Sequence, residues 1–214
     1  MSMSVKWCGA LLVAAVLQLA IANSASAGLA FQGSLSDWLA NTDPVVNGDK
    51  DFQALDASAE LQVVNPSVSI ATVGTNYTVT FGFDVGGLDG PFTGWIKYSV
   101  TITDPNWVFD VTHIDSTHLG SGSSSVQKDI DWGGPGVDVS ITSLNGTTDT
   151  TSAAAGQTVL VITDYVTIDG SSNVASFVNT FTQKPVDTPE PTTVAMLLGL
   201  GLVGLCGRGR KQGV

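Results

Sequence analysis

Histidine and aspartate occur together in one short stretch of the chain, as Asp110, His113, Asp115 and His118. Imidazole nitrogens and carboxylate oxygens are good ligands for transition metals. On a β-strand, His113 and Asp115 would share a face because they are two residues apart. His118 is expected beyond that strand, in the Gly- and Ser-rich loop 119–125, so a four-ligand site would need a bend there. A solvated, polar strand end is therefore favoured over a metal site.

Aspartate pairs recur near predicted turns, at positions 49 and 51, 84 and 89, and 129 and 131. Calcium prefers oxygen-rich turns of this kind in extracellular proteins. The run that begins at Asn47 does not fit the EF-hand pattern, because Phe52 takes the glycine position and Ser58 the bidentate position. Calcium remains an alternative, and charge that deters pairing between strand edges explains the same residues without a ligand. No other cofactor is predicted.

Enzyme signatures are lacking in the sequence between residues 28 and 187. This segment has a single glutamate, Glu60, and no carboxylate pair that spacing singles out for glycoside hydrolysis. It has no G-x-S-x-G motif for a serine hydrolase and no glycine-rich phosphate loop after a strand. The sequence therefore predicts a protein that is not an enzyme.

Tryptophan is frequent in this segment, at positions 38, 95, 107 and 132. Indole faces stack well on sugar rings, so exposed members of this set would indicate carbohydrate binding. Large aromatic residues are also the natural core of a small domain, and burial is the simpler expectation for each of them.

Alternation of apolar and polar residues predicts an all-β domain over residues 28–187. Ser34 is expected to cap one short helix that ends near Ala40. Residues 169–172 are expected to form a hairpin turn. An antiparallel β-sandwich follows, of jelly-roll or immunoglobulin type. The predicted strands are 57–64, 67–73, 76–85, 94–103, 107–114, 125–132, 137–144, 157–168 and 173–184.

The first 27 residues have the features of a secretory signal peptide. Lys6 precedes an apolar run from Cys8 to Ala22, which predicts an N-terminal signal helix. Small residues follow at Ala25 and Ala27, and cleavage is expected after Ala27. The alternative is an uncleaved membrane anchor, which the shortness of the apolar run disfavours.

The last 27 residues, 188–214, consist of three parts in a fixed order. Pro189, Glu190 and Pro191 come first, a predicted transmembrane helix of about residues 192–207 follows, and a basic tail, 208–214, ends the chain. Arg208, Arg210 and Lys211 in this tail are expected to stay in the cytoplasm.

This order resembles the PEP-CTERM sorting signal of bacteria that make extracellular polysaccharide. The resemblance implies that an exosortase, a membrane-embedded transpeptidase, recognises the segment and removes it near the Pro-Glu-Pro motif. The secretion translocon would be the earlier partner. The alternative is a C-terminal anchor that is never processed.

Charge and cysteine content agree with export. Residues 28–187 hold 18 acidic residues and four lysines, a formal net charge of −14. Such a domain is repelled by nucleic acid and by anionic lipid, so neither is an expected partner. Cys8 and Cys206 both lie outside the segment, which therefore contains no disulfide.

The exported segment itself resembles a recurrent group of PEP-CTERM ectodomains. The resemblance rests on Leu35–Leu39 leading into 47–52, on 171–173 and on 179–181. It implies a β-sandwich and assigns no activity. We expect a protein exported across the inner membrane, held there transiently, and then placed in the envelope or outside the cell. A structural or adhesive role in exopolysaccharide is the leading hypothesis. A carbohydrate-binding module, calcium-dependent in one version, is the alternative, and a hydrolase is the third.

Overall fold

A computed structural model describes residues 28–84, 87–133 and 136–186. The predicted signal peptide and the C-terminal segment, with the helix predicted in each, lie outside these residues. Within them, no helix has the length and apolarity needed to cross a bilayer.

The described chain forms 13 strands and two short helices. The first half contains β1 (Gly28–Ser34), α1 (Leu35–Ala40), β2 (Val45–Asn47), β3 (Lys50–Ala57), α2 (Ala59–Val64), β4 (Ser67–Val73), β5 (Asn76–Gly82) and β6 (Leu88–Asp89). The second half contains β7 (Phe92–Ile102), β8 (Trp107–Gly120), β9 (Ser124–Asp131), β10 (Val139–Leu144), β11 (Asp149–Thr151), β12 (Val159–Ile168) and β13 (Ser172–Pro185).

Two antiparallel sheets form a sandwich, as predicted. Sheet A has the order β1-β4-β5-β13-β8-β11, with β6 also paired to β13. Sheet B has the order β10-β9-β12-β7-β3-β2. From β5 onward the pairing is nested, with β5 beside β13, β7 beside β12, β8 beside β11 and β9 beside β10. This is the jelly-roll arrangement and not the immunoglobulin one.

The core lies between the inner faces of the two sheets and is rich in aromatic residues. Trp38 from α1 packs against Phe81 of β5 and Tyr98 of β7, with ring centroids 6.1 and 5.5 Å apart. Phe81 also stacks on Phe177 of β13 at 4.6 Å. These contacts tie α1 to both sheets, and tilted aromatic pairs of this kind stabilise beyond the area they bury.

The predicted helix at 34–40 is confirmed, together with its cap. The Ser34 hydroxyl accepts a hydrogen bond from the Asp37 N–H, and the Asp37 carboxylate accepts one from the Ser34 N–H. This reciprocal pair satisfies two N–H groups that a helix start leaves free. Only Leu35 and Trp38 of the helix are buried, so α1 covers the core with one side.

The strand predicted at 57–64 is wrong, because most of that segment is the helix α2. Ser58 caps it by accepting from the Leu61 N–H, and Asn65 ends it in the left-handed region at φ 52°. Only Leu61 of this helix is buried. The other apolar residues of the segment are spaced in a way that also fits a strand, which explains the wrong prediction. The sheet strand precedes the helix, as β3. Strands β1 and β2 were not predicted either.

The hairpin predicted at 169–172 is also wrong. The turn connects β12 in sheet B with β13 in sheet A, so it carries the chain from one layer to the other. A tight turn between two long strands can join neighbours in one sheet or strands in opposite sheets. The residues of the turn do not determine which of the two occurs.

Candidate functional site

Sheet B presents an aromatic pair on its outer face. Alternation along β7 turns Ile96 and Tyr98 into the core and leaves Trp95 partly exposed on the other side. On β12 the same alternation exposes Tyr165, of which 39% is accessible. The register of the two strands sets Trp95 directly opposite Tyr165. Side chains at such opposed positions lie about 5 Å apart at Cβ, so the two rings form one surface.

Polar side chains extend this surface across sheet B. Lys97 lies opposite Thr163, which in turn lies opposite Asp129 on β9. Gln127 lies opposite Tyr165 on its other side. We refer to this set as the aromatic face: Trp95, Lys97, Gln127, Asp129, Thr163 and Tyr165.

Hydrogen bonds within the sheet orient two of these side chains. The Gln127 Nε2 donates to Asp129 Oδ1 at 2.7 Å, and the Ser140 hydroxyl of β10 donates to the same oxygen at 2.6 Å. A carboxylate held by two donors keeps a fixed direction, so the polar part of the face is preorganised.

Trp95 is anchored through the residue that caps α2. The Trp95 N–H donates to the Ser58 hydroxyl at 3.2 Å, and the Ser58 N–H donates to the Trp95 carbonyl at 2.9 Å. The neighbouring Gly94 makes this approach possible, because a Cβ there would lie 2.8 Å from the Phe92 ring and 3.1 Å from the Ser58 oxygen. The backbone of the aromatic face is thus fixed from outside the sheet.

The four tryptophans differ in how they pack against the core. Trp38 is buried, with 1% accessible, and Trp107 and Trp132 pack against the core as partly buried residues. Trp95 is partly exposed and is not part of this packing. Burial therefore holds as expected for Trp38, and Trp95 is the partly exposed tryptophan that does not pack against the core.

The four candidate metal ligands all lie on β8, and no three of them are grouped around one point. Strand β8 continues to Gly120, so His118 belongs to the strand and not to the following loop as predicted. Its Nδ1 lies 2.6 Å from the Ser124 hydroxyl and 3.2 Å from that of Ser172. Asp110 forms a 3.7 Å ion pair with Lys184. Within residues 28–84, 87–133 and 136–186, no three His, Cys, Asp or Glu side chains are grouped for a metal.

Asp49, a calcium candidate, has a lysine and a tyrosine as partners. Its Oδ1 accepts from the Lys50 Nζ at 2.9 Å and from the Tyr77 hydroxyl at 3.0 Å. Lys50 is fully buried and also lies 3.7 Å from the centroid of the Tyr77 ring. Burial, followed by the hydrogen bond to Asp49, raises the pKa of Tyr77 to about 12. The charge of Asp49 is thus balanced by the adjacent lysine.

The other calcium candidates are distributed over β3, the β5–β6 connection, β6 and β9. Asp129 belongs to the aromatic face, and Asp131 accepts from the Gly133 N–H at 3.0 Å. Asp51 lies opposite Thr101 in the β3–β7 register, and Asp89 belongs to β6.

A polar cleft of about 390 Å³ opens where three connections meet. Asp89, Leu119 and the turn residues 170–173 are among those that line it. Ser172, one of these, contacts His118. Asp89 is the one carboxylate in the lining, so this cleft lacks the carboxylate pair that glycoside hydrolysis needs.

Sequence analysis missed a second group of polar residues, which lies inside the sandwich. Lys128, Asp164 and Asn179 are all fully buried. Each occupies an inward position between apolar neighbours on its strand, as the burial patterns of β9, β12 and β13 show. A polar residue in the apolar phase of an alternating strand is a signal that could have found them.

Residues 187–211 match the PEP-CTERM protein-sorting motif. The chain carries a PEP-CTERM sorting signal. This confirms the family to which the C-terminal segment was compared. The motif implies export, anchoring at the C-terminus for sorting, and processing by an exosortase.

Similar solved structures include carbohydrate-binding modules. TmCBM61 in complex with β-1,4-galactotriose has a TM-score of 0.31 and 11% identity, covering 78% of this chain and 94% of that chain. A CBM4 structure has a TM-score of 0.29 and 9% identity, covering 70% of this chain and 97% of that chain. The family 11 module from Clostridium thermocellum, in complex with a β-1,3-1,4-mixed-linked tetrasaccharide, has a TM-score of 0.28 and 12% identity. That match covers 71% of this chain and 95% of the module. TM-scores this low do not establish a shared ligand. No curated protein matches the chain.

Proposed function

We propose that the chain is a non-enzymatic, exported protein that binds polysaccharide through the aromatic face of sheet B. The observation that carries this proposal is the Trp95–Tyr165 pair, two opposed aromatic residues on the outer side of a sheet. A folded domain gains nothing in core packing from a tryptophan held there. Exposed aromatic surface bordered by polar groups is typical of a binding site.

The geometry suits a sugar polymer. The apolar face of a pyranose ring can stack on the indole or the phenol, and the two rings together cover more than one sugar unit. Lys97, Gln127 and Asp129 run beside the pair and offer both donors and acceptors to hydroxyl groups. An open sheet face also leaves both ends of a polymer free to continue past the protein.

Charge selects among polysaccharides. The segment 28–187 carries a formal net charge of −14, which repels polyanions. We therefore expect a neutral glycan as the ligand, in preference to a uronic-acid polymer.

Sorting and binding fit one biological role. The PEP-CTERM signal implies export, C-terminal anchoring and processing by an exosortase. A polysaccharide-binding ectodomain would then hold the protein in the exopolysaccharide. On this proposal the finished protein is located in the envelope or the matrix, where its role is adhesive.

Affinity electrophoresis of the full chain tests the binding proposal. The gels contain a mixed-linked β-glucan, a β-1,4-galactan, or exopolysaccharide from the producing strain. Wild type should be retarded by at least one neutral polymer, and Trp95→Ala should weaken the binding at least about tenfold, since a stacked aromatic ring contributes more than about 1.4 kcal/mol.

Val159→Ala is the matched control, because Val159 is an exposed apolar residue on β12, well away from the aromatic pair. It should bind as wild type does. Equal retardation of Trp95→Ala and wild type, or no retardation by any of the polymers, would reject the aromatic face as the site.

A further inference from the structure

Three fully buried polar side chains lie between the two sheets, and the polysaccharide site does not use them. Lys128 is on β9, Asp164 on β12 and Asn179 on β13, each with no accessible surface. A buried charge costs several kcal/mol unless it is well paired, so such a group needs a specific reason to be retained.

The Asp164 carboxylate accepts a hydrogen bond from Asn179 and interacts electrostatically with Lys128. Asp164 lies directly opposite Lys128 in the β9–β12 register. Asn179, from the other sheet, donates its Nδ2 to Asp164 Oδ2 at 2.5 Å. Asp164 also interacts with the buried Tyr98 hydroxyl, whereas Asn179 Oδ1 is buried without a hydrogen-bond partner. The cluster is therefore compact, but its hydrogen bonding is incomplete.

The Lys128 amine crosses from sheet B to sheet A. Its Nζ donates to the carbonyl oxygen of His113 on β8 at 2.6 Å and lies 4.7 Å from the centroid of the Phe181 ring on β13. Phe181 follows Asn179 as the next inward residue of that strand. The amine thus ends beside the strand that carries the carboxamide.

The register of β8 with β13 places the carboxamide near the amine. The Thr182 hydroxyl accepts a hydrogen bond from the Val111 N–H at 2.9 Å and donates one to the Val111 carbonyl at 3.1 Å. Further along the same strands, the Ser176 hydroxyl donates to that of Thr117, which agrees with the same register. By antiparallel pairing, Asn179 then lies across from Ile114, the neighbour of His113. The amine and the carboxamide occupy the same small region of the core.

The surroundings favour the uncharged forms of both titratable groups. Burial lowers the pKa of Lys128, although the nearby Asp164 opposes this. Burial likewise raises the pKa of Asp164, against the opposing effect of Lys128. Burial, followed by the charge of Asp164, raises the pKa of Tyr98 well above its usual range. A neutral amine is a nucleophile, and a protonated carboxyl is a general acid.

We propose that Lys128 and Asn179 form an intramolecular amide bond between the two sheets. The Lys128 Nζ turns from the His113 carbonyl and attacks Cγ of Asn179, forming a C–N bond. The bond between Cγ and Nδ2 breaks, Asp164 gives its proton to the departing nitrogen and accepts one from Nζ, and ammonia leaves. Atoms and charge balance, and no oxidant is needed.

The proposed bond would give the segment 28–187 a covalent cross-link between its two sheets. With no cysteine there, a disulfide is excluded, whereas an amide forms in any redox environment. The reaction also consumes a buried amine and a buried carboxamide.

Trypsin digestion of the denatured full chain, followed by mass spectrometry, tests the proposal. Trypsin cleaves after a lysine whose amine is free and not after an acylated one. We expect cleavage after Lys97 and none after Lys128. We also expect one peptide that contains both Lys128 and Asn179 and is lighter than its sequence by one ammonia molecule.

Three variants assign the roles. Asn179→Ala and Asp164→Ala should each restore cleavage after Lys128, because the first removes the acceptor and the second the proton carrier. Lys184→Ala, at a partly exposed lysine on β13, is the control and should keep the bond. The measurement is the mass of tryptic peptides from denatured protein. The wild-type result therefore decides the proposal even if one of the core variants folds poorly.

The proposal would be overturned if wild-type protein, purified in the folded state and then denatured, were cleaved completely after Lys128. A deficit of one water molecule mapped to Lys128 and Asp164 would overturn the assignment of Asn179. Neither result would bear on polysaccharide binding, which is measured separately.

Discussion

Strands β7, β9 and β12 present a tyrosine, a lysine and an aspartate on each of their two faces. The outer set is Lys97, Asp129 and Tyr165, and the inner set is Tyr98, Lys128 and Asp164. Each strand contributes one residue to each set. The same three side-chain types therefore occupy the same sheet twice, with water on one side and the core on the other.

The difference between the two faces lies in hydration. On the outer face, water solvates the charges, and the side chains can exchange it for the hydroxyl groups of a ligand. On the inner face, burial disfavours the charged forms of Lys128 and Asp164, which is the condition that the proposed bond between Lys128 and Asn179 requires. Residue type alone therefore does not distinguish the proposed binding surface from the proposed reactive cluster.

The largest effect should come from breaking the inner cluster. An amide between Lys128 and Asn179 closes a loop of about 50 residues, and losing that constraint costs about 4 kcal/mol in the chain-entropy model used for disulfides. Asn179→Ala should therefore lower the free energy of unfolding by about that amount, measured in urea. Asp129→Asn, on the outer face, is the control and should change it by less than about 1 kcal/mol. Equal stabilities of the two variants would remove the energetic contrast between the faces.

A smaller effect, on polysaccharide affinity, is expected from removing the ring of Tyr165, which lies opposite Trp95. Tyr165→Ala should reduce polysaccharide affinity about tenfold, since it removes one of two stacking surfaces. Tyr165→Phe keeps the ring and should stay within about twofold of wild type. If instead both variants lose affinity equally in affinity electrophoresis, the hydroxyl and not the ring contacts the sugar.

The smallest effect should come from the support of the outer face. Ser58→Ala removes the cap of α2 and the acceptor for the Trp95 N–H, so the free energy of unfolding should fall by about 1 kcal/mol. Polysaccharide affinity should fall as well, though less than in Trp95→Ala. Ser34→Ala removes the equivalent cap of α1 and should cost similar stability with no change in binding. A loss of affinity in both cap variants would indicate general destabilisation.

Strands β7, β9 and β12 could be predicted from sequence because buried and exposed positions alternate along each of them. Each starts and ends within two residues of its predicted limits. The segment 50–64 could not be divided correctly, since Ser58 and Asn65 bound a helix that is too short to show helical periodicity. A six-residue helix buries a single residue, Leu61, and leaves almost no pattern.

The candidate sites depend on information that the sequence does not hold locally. Trp95 and Tyr165 are distant in sequence, and only the β7–β12 register makes them one surface. The sequence flagged Trp95 with three other tryptophans, but which one is exposed depends on packing. Lys128 and Asp164 were detectable by their inward phase, although their contact with Asn179 requires the second sheet.

The position of β13 in sheet A has a consequence for the timing of folding. This strand lies between β5 and β8, yet it is the last strand before the sorting motif at 187–211. Sheet A therefore has a gap at its centre until almost the whole ectodomain has emerged. Because contacts between distant segments form slowly, the chain should remain incompletely folded, and so able to be threaded, until its final strand arrives. The topology thus delays closure of the sandwich until the sorting signal is close behind.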